Sequence, residues 1–130
     1  MDILKFYNKK LKEFGNDDFR SLYWGDKEGS SAKLRYKQMF NHYDWSSKSI
    51  LEIGCGWGSF FDFGFTTENY LGIDINKNFI NIAKEKYPEK KWQSFTNNWY
   101  SSTLYNSFDV CISSGVAGNR GGPAWHPDII

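Results

Sequence analysis

Two features of the sequence carry chemistry. The run "ILEIGCGWGSF", residues 50–60, ends a short apolar stretch in three glycines, Gly54, Gly56 and Gly58, each separated by one residue. Asp74 follows twenty positions after Gly54, at the end of a second apolar run, "YLGIDI". Glycines in this pattern let backbone turn sharply and approach a ligand where any Cβ would intrude, while the next helix directs its N-terminus at the same place. A carboxylate at the end of the neighbouring strand can accept hydrogen bonds from both hydroxyls of a ribose. Together the loop and the acid indicate an adenosine-type ligand.

Four strand-sized runs position these residues: "ILEIG" from 50, "YLGIDI" from 70, "KWQSF" from 91 and "FDVCISS" from 108. Between the second and third, Ile80, Ala83 and Tyr87 share a helical face, with Asn76 able to cap its start and Pro88 marking its end. Two helices are expected earlier, one from Leu4, Tyr7, Leu11 and Phe14 with Gly15 as its stop, the other from Ala32, Tyr36, Met39 and Tyr43. Alternating strand and helix implies parallel pairing, hence an α/β doubly wound sheet, preceded by two helices. Ligands of such sheets sit beyond the carboxyl ends of the strands, where strand order reverses. The organisation read from this is an N-terminal helical segment over 1–49, a ligand-binding α/β core over 50–116 and an irregular tail over 117–130, where Gly and Pro dominate.

The chain has 130 residues, enough for one core and too few for two ordinary domains. Its 16 basic and 15 acidic residues leave a net charge of +1, so no strong field draws in nucleic acid or anionic lipid. Cys55 and Cys111 stand far apart and outside any zinc-type spacing, and His42 and His126 have no metal-ligand partner in sequence. With no signal-type start and no apolar run near the roughly 18 residues of a membrane span, a soluble cytoplasmic protein is expected.

The acid two residues before the first glycine separates this loop from the dinucleotide fingerprint, which would also require glycine where Ser59 stands. "EIGCGWG" resembles motif I of class I S-adenosylmethionine-dependent methyltransferases. "YLGIDINKNFI" is similar to the family's second-strand segment, and "FDVCISSGV" to its fourth strand. Upstream, "FYNKKLKEFG", "YWGDKEGS" and "KLRYKQMF" resemble the leader of a group of small bacterial-type methyltransferases with a Trp-Gly turn and an Arg-aromatic pair.

The resemblance implies S-adenosyl-L-methionine as cofactor. Glu52, Gly54, Cys55, Gly56 and Gly58 would surround its methionine part, Asp74 would bind its ribose and Ile75 would pack beside its adenine. Where family members place an Asp after strand three, this chain has "SFTNNW", so Thr96 or Asn97, or else Asn98, would meet the adenine amino group. Ser113, with Ser114, lies where cofactor and acceptor would meet. Trp24 and Arg35 could close over the cofactor and hold a carboxylate, with an aromatic anchor and a surface Arg as the alternative. Glu52, in a buried strand, is expected to accept N–H bonds from the loop, directly or through water, and Cys55 to fill space rather than act as a nucleophile. The phenylalanines at 60, 61, 63 and 65 are expected to pack a short helix onto the sheet.

Methyl transfer from a sulfonium is a direct displacement that requires no metal, and the acceptor expected is a small molecule, with no nucleic-acid or membrane partner. The full class I fold has seven strands, and the 14 residues after "SSGV" cannot supply three more, so the chain reads as truncated after the fourth strand, and the resemblance implies a Rossmann-like sheet of about four strands in the order 3-2-1-4. That strand's open edge would be available to a second copy in a homodimer. The alternative function is a non-catalytic module that binds S-adenosylmethionine or a related adenosine ligand.

Overall fold

Three elements precede the sheet in the computed structural model, which describes residues 2–42, 44–95 and 106–113. Helix α1 spans Ile3–Phe14; the Asp2 carboxylate caps it by accepting the Lys5 N–H at 3.2 Å, and Gly15, at φ 87°, closes it by donating to the Leu11 carbonyl. A 3₁₀ turn, Phe19–Leu22, follows. Asp18 caps that turn through the Arg20 N–H and clamps the Arg20 guanidinium with both oxygens, at 3.0 and 2.7 Å. This segment has turn formers and no period, which is why sequence reading leaves it without an element. Helix α2, Ser30–Phe40, starts at Gly29, where the Asp26 carboxylate accepts the Ser30 N–H at 2.9 Å.

The sheet consists of β1 (Ser49–Ile53), β2 (Asn69–Asp74), β3 (Lys91–Ser94) and β4 (Val110–Ser113), all parallel, in the order β3-β2-β1-β4. This is the α/β Rossmann-like arrangement expected from the sequence. Ile53 sits opposite both Ile73 and Ser113, so β2, β1 and β4 end nearly level with one another, and β1 and β2 run directly into the loops that carry the glycines and Asp74. A four-residue helix α3, Ser59–Asp62, follows the glycine loop, and α4, Lys77–Lys86, follows Asp74. Asn76 caps α4 through the Asn78 and Phe79 N–H groups. Tail residues 117–130 and the adenine-contact candidates Thr96, Asn97 and Asn98 lie outside the described residues.

Alternation along β1 divides the core. Leu51 and Ile53 pack with Ile73 on one face; Ile50 packs with Tyr36, Phe60, Tyr70, Ile80 and Trp92 on the other. The second face is largely aromatic. Phe60 stacks on Tyr70 at 5.2 Å between ring centroids, and Trp92 meets Tyr70 edge-on at 5.4 Å. The α1 and 3₁₀ segment joins the same body through Trp57, a fully buried residue of the glycine loop that packs with Leu22 and Phe79. No described helix is long and apolar enough to cross a membrane.

Gly72 makes room for this packing. A Cβ built there would lie 2.6 Å from the Trp92 ring and 2.9 Å from Cys55 Sγ, inside any acceptable contact. Replacing Gly72 by Ala should destabilise the fold by about 1–3 kcal/mol, the usual effect of overpacking a filled core. A fall in the urea midpoint with an unchanged slope would show it, and an unchanged midpoint would contradict the packing described.

Candidate cofactor site

The carboxyl ends of β1 and β2 open into a cavity of ≈ 440 Å³, within the range of small-molecule sites. Its floor is the glycine loop: Gly54, Cys55, Gly56 and, at the start of α3, Ser59. Asp74, Ile75 and Asn76 form one side, with Phe79 and Phe95 beyond them. Tyr7 of α1, the stretch Leu22 to Gly25, and Ser31, Arg35 and Tyr36 of α2 form the opposite wall. Thus the N-terminal elements and the sheet build one site between them.

The loop is tied down at both ends. Gly54 and Cys55 donate their N–H groups to the Ile73 carbonyl at 2.8 and 3.1 Å, and Gly56 N–H reaches across to Asp74 Oδ2 at 2.9 Å. Gly56 holds φ 58° with the Leu22 side chain 3.1 Å from where a Cβ would stand. A side chain there would meet both a disfavoured backbone and the cavity wall. Asp74 Oδ1 accepts the Asn76 N–H at 2.9 Å, and with two lone pairs on each oxygen the carboxylate keeps acceptor capacity for a ligand.

Asp74 and Arg35 are the charged side chains among the described residues of the wall. The Arg35 guanidinium lies over the Trp24 ring at 5.1 Å and has no acidic partner among the described residues. Asn8, from α1, was not singled out by any motif, yet its Oδ1 accepts from Asn76 Nδ2 and Asn78 Nδ2, both at 3.0 Å. It holds the cover helix beside the loop that follows Asp74. No local pattern in sequence marks Asn8, since its partners lie 68 and 70 positions away.

The structure brings Gly54, Cys55, Gly56, Asp74 and Ile75 together at the cavity, with Trp24 and Arg35 opposite. It places three other candidates elsewhere. Gly58 sits at φ 96° with a would-be Cβ 3.0 Å from Tyr87 and 3.1 Å from Trp92, so its missing side chain serves core packing. Ser113 is exposed at the end of β4, away from the wall. Glu52 departs from the direct form of the expectation: its fully buried carboxylate accepts hydrogen bonds from the Tyr36 and Tyr70 hydroxyls, and the Gly56 N–H goes to Asp74. Glu52 points to the face of β1 that Ile50 occupies, below the loop rather than into it.

Burial sets the protonation of these groups. It pushes the Asp74 carboxyl from its ordinary 3.8 up to about 6, with the N–H groups of Asn76, Gly56 and Ile75 pulling partly back. Burial likewise lifts Glu52 from 4.5 to about 7, against the two tyrosine hydroxyls, with the charge of Asp74 adding to the rise. Burial, then Asp74 and Glu52, push the Cys55 thiol well above its usual range, so it stays protonated and unreactive.

A glycine-floored cavity with an acid at the second strand's end, on a parallel sheet of this order, defines a Rossmann-like nucleotide-binding protein. Residues 51–124, more than half of the chain, match the family model described as "Methyltransferase domain". The chain belongs to the class I S-adenosylmethionine-dependent methyltransferases, a family whose cofactor is S-adenosyl-L-methionine.

Solved structures agree on the fold. Magnesium protoporphyrin IX methyltransferase from Synechocystis PCC 6803, with bound SAM, aligns with a TM-score of 0.62 at 13% identity, covering 88% of this chain and 61% of that one. Phosphoethanolamine N-methyltransferase 1 of Haemonchus contortus, in complex with phosphoethanolamine and S-adenosylhomocysteine, gives 0.55 at 16%, covering 75% and 21%. The CurJ carbon methyltransferase gives 0.53 at 22%, covering 76% and 31%. The chain therefore spans less than two thirds of each of these structures. No curated protein matches it.

The raised Asp74 pKa has a testable sign. Because the folded state holds this proton more tightly than the unfolded chain does, the contribution of Asp74 to stability is greatest below 3.8 and is lost as pH rises to about 6. Asp74→Asn removes this titration. The stability of the variant relative to wild type should rise between pH 4 and pH 6 and then level off, as read from urea unfolding at a series of pH values; a flat difference would mean that Asp74 is not buried as described.

Proposed function

We propose that this chain binds S-adenosyl-L-methionine in the cavity between the glycine loop and the N-terminal cover, and that it serves methyl transfer to a small-molecule acceptor. The observation that carries the reading is Asp74: a carboxylate in the cavity wall, fixed by the loop's own Gly56 N–H, with acceptor capacity left on both oxygens. Those oxygens suit the two hydroxyls of a ribose. Ile75 offers an apolar contact for the adenine next to them.

When bound, the cofactor supplies an electrophilic methyl group on a sulfonium. Residues of this chain supply alignment and exclusion of water. The bare backbone at Gly54 and Gly56 admits the amino-acid tail closely, and Arg35, held over Trp24, provides a fixed cation for that tail's carboxylate. In this reading residues 1–49 act as the cover and 50–116 as the cofactor-binding core. Cys55 takes no part as a nucleophile, since burial keeps its thiol protonated.

Calorimetric titration of the chain with S-adenosylhomocysteine should give saturable binding. Asp74→Ala should weaken it at least tenfold, since hydrogen bonds to a charged group contribute about 1.5–3 kcal/mol each. Unchanged affinity in that variant would sink the ribose assignment. Methyl turnover with a candidate acceptor then separates an enzyme from a module that only binds.

Arg35 is tested by dropping the group it would hold. Wild type should prefer S-adenosylhomocysteine over 5′-methylthioadenosine, which has no carboxylate, and Arg35→Met should erase most of that preference while leaving methylthioadenosine affinity near wild type. A preference that survives the substitution would assign the carboxylate to another group.

A further inference from the structure

Glu52 is the residue whose position the cofactor reading does not use. It lies in the central strand, fully buried, with one oxygen bound by the hydroxyl of Tyr36 from α2 and the other by that of Tyr70 from β2. The two legs of this bridge differ in what else holds them. Tyr70 belongs to a strand paired by backbone ladders to β1 on one side and β3 on the other. Helix α2 has no such ladder, and Tyr36 to Glu52 is the hydrogen bond by which the described residues tie it to the sheet. Tyr36 itself lines the cavity, Arg35 stands next to it, and Ser31 is one turn earlier.

We infer that Glu52 is a positioning residue: by accepting the Tyr36 hydroxyl it fixes α2 against β1 and so sets the cavity wall formed by Ser31, Arg35 and Tyr36. The carboxylate at the start of the glycine motif thereby acts on the cofactor site through a helix rather than by touching its contents. Two acceptor oxygens are needed because a buried carboxylate with one oxygen unpaired is costly, and Tyr70 satisfies the second from a strand that is already fixed. The rings of both tyrosines are held independently of their hydroxyls. Tyr36 packs against Phe60, Phe63 and Phe65, and Tyr70 against Phe60, Phe61 and Trp92. Phenylalanine at either position therefore removes one leg and leaves the packing.

The experiment compares Tyr36→Phe with Tyr70→Phe in the full chain by three readouts: urea stability, amide hydrogen exchange in α2, and affinity for S-adenosylhomocysteine. Both variants lose a buried hydrogen bond to the same carboxylate and should lose similar stability. Tyr36→Phe should speed exchange across residues 30–40 and weaken ligand binding by about two- to thirtyfold, the range for a residue that acts on a site without touching the ligand. Tyr70→Phe should leave α2 exchange and affinity near wild type. Equal effects of the two variants on exchange and affinity, or wild-type α2 exchange in Tyr36→Phe, would overturn the inference.

The affinity arm rests on the cofactor reading above, and the exchange arm does not. Absence of S-adenosylhomocysteine binding in wild type would defeat that reading while α2 exchange still decides the role of Glu52. Should Tyr36→Phe fail to fold, Glu52→Met keeps roughly the volume and removes both acceptor oxygens. Faster α2 exchange in it supports the positioning role, and wild-type exchange overturns it.

Discussion

The hydrogen bond from Gly56 N–H to Asp74 Oδ2 couples the two strand ends from which the site is made. Parallel pairing of β1 and β2 delivers both loops at the same level, but it leaves the glycine loop free to choose its path. The carboxylate selects one path by accepting a loop N–H, and the Asn76 N–H on its other oxygen aims it. Because Asn76 also caps α4 and donates to Asn8 on α1, the same short chain of bonds aligns a helix start and draws a cover helix over the cavity. Asp74 thus links the loop to the α4 cap, while the Ile73 carbonyl holds the start of the loop.

Beneath that loop the protein relies on aromatic rings where a larger domain would use aliphatic layers. Phe60, Phe61, Tyr70, Tyr87 and Trp92 form a connected set of edge-on, stacked and tilted contacts between the sheet and the helices that follow it. Large rings need small partners, and Gly58 and Gly72 are where the backbone yields space to Trp92. Two of the glycines in this region thus serve packing while others serve the cavity. A single sequence motif spans both purposes, since Gly56 and Gly58 are only two residues apart but face different sides of the loop.

Charge in the site is sparse and placed by burial. Asp74, half-buried, and Glu52, fully buried, are both carboxyls held above their ordinary range, yet one faces a cavity and the other two tyrosines. The first is open to a ligand; the second is shut inside the core with a tyrosine hydroxyl on each oxygen. Opposite them, Arg35 gains orientation from the Trp24 ring rather than from an acid that would neutralise it, which keeps its charge available to an anionic group.

Much of this was legible in the residues alone. The parallel sheet, the helices around Tyr7 and Ala83, the Asn76 cap and the meeting of Gly54, Gly56 and Asp74 follow from local periodicity, turn chemistry and the constraint that parallel strands end level, while the strand order came from the family resemblance. The 3₁₀ turn over Phe19–Leu22 was not legible, because its stability comes from Asp18 and Arg20 and from packing against Trp57 rather than from a repeating pattern. Nor was the placement of Glu52, Gly58 and Ser113. Sequence specifies which residues sit near a strand end; the direction each side chain takes depends on what lies across the sheet. Tyr36 and Tyr70 stand 16 and 18 positions from Glu52, and only folding decides that their hydroxyls reach its carboxylate before the loop does.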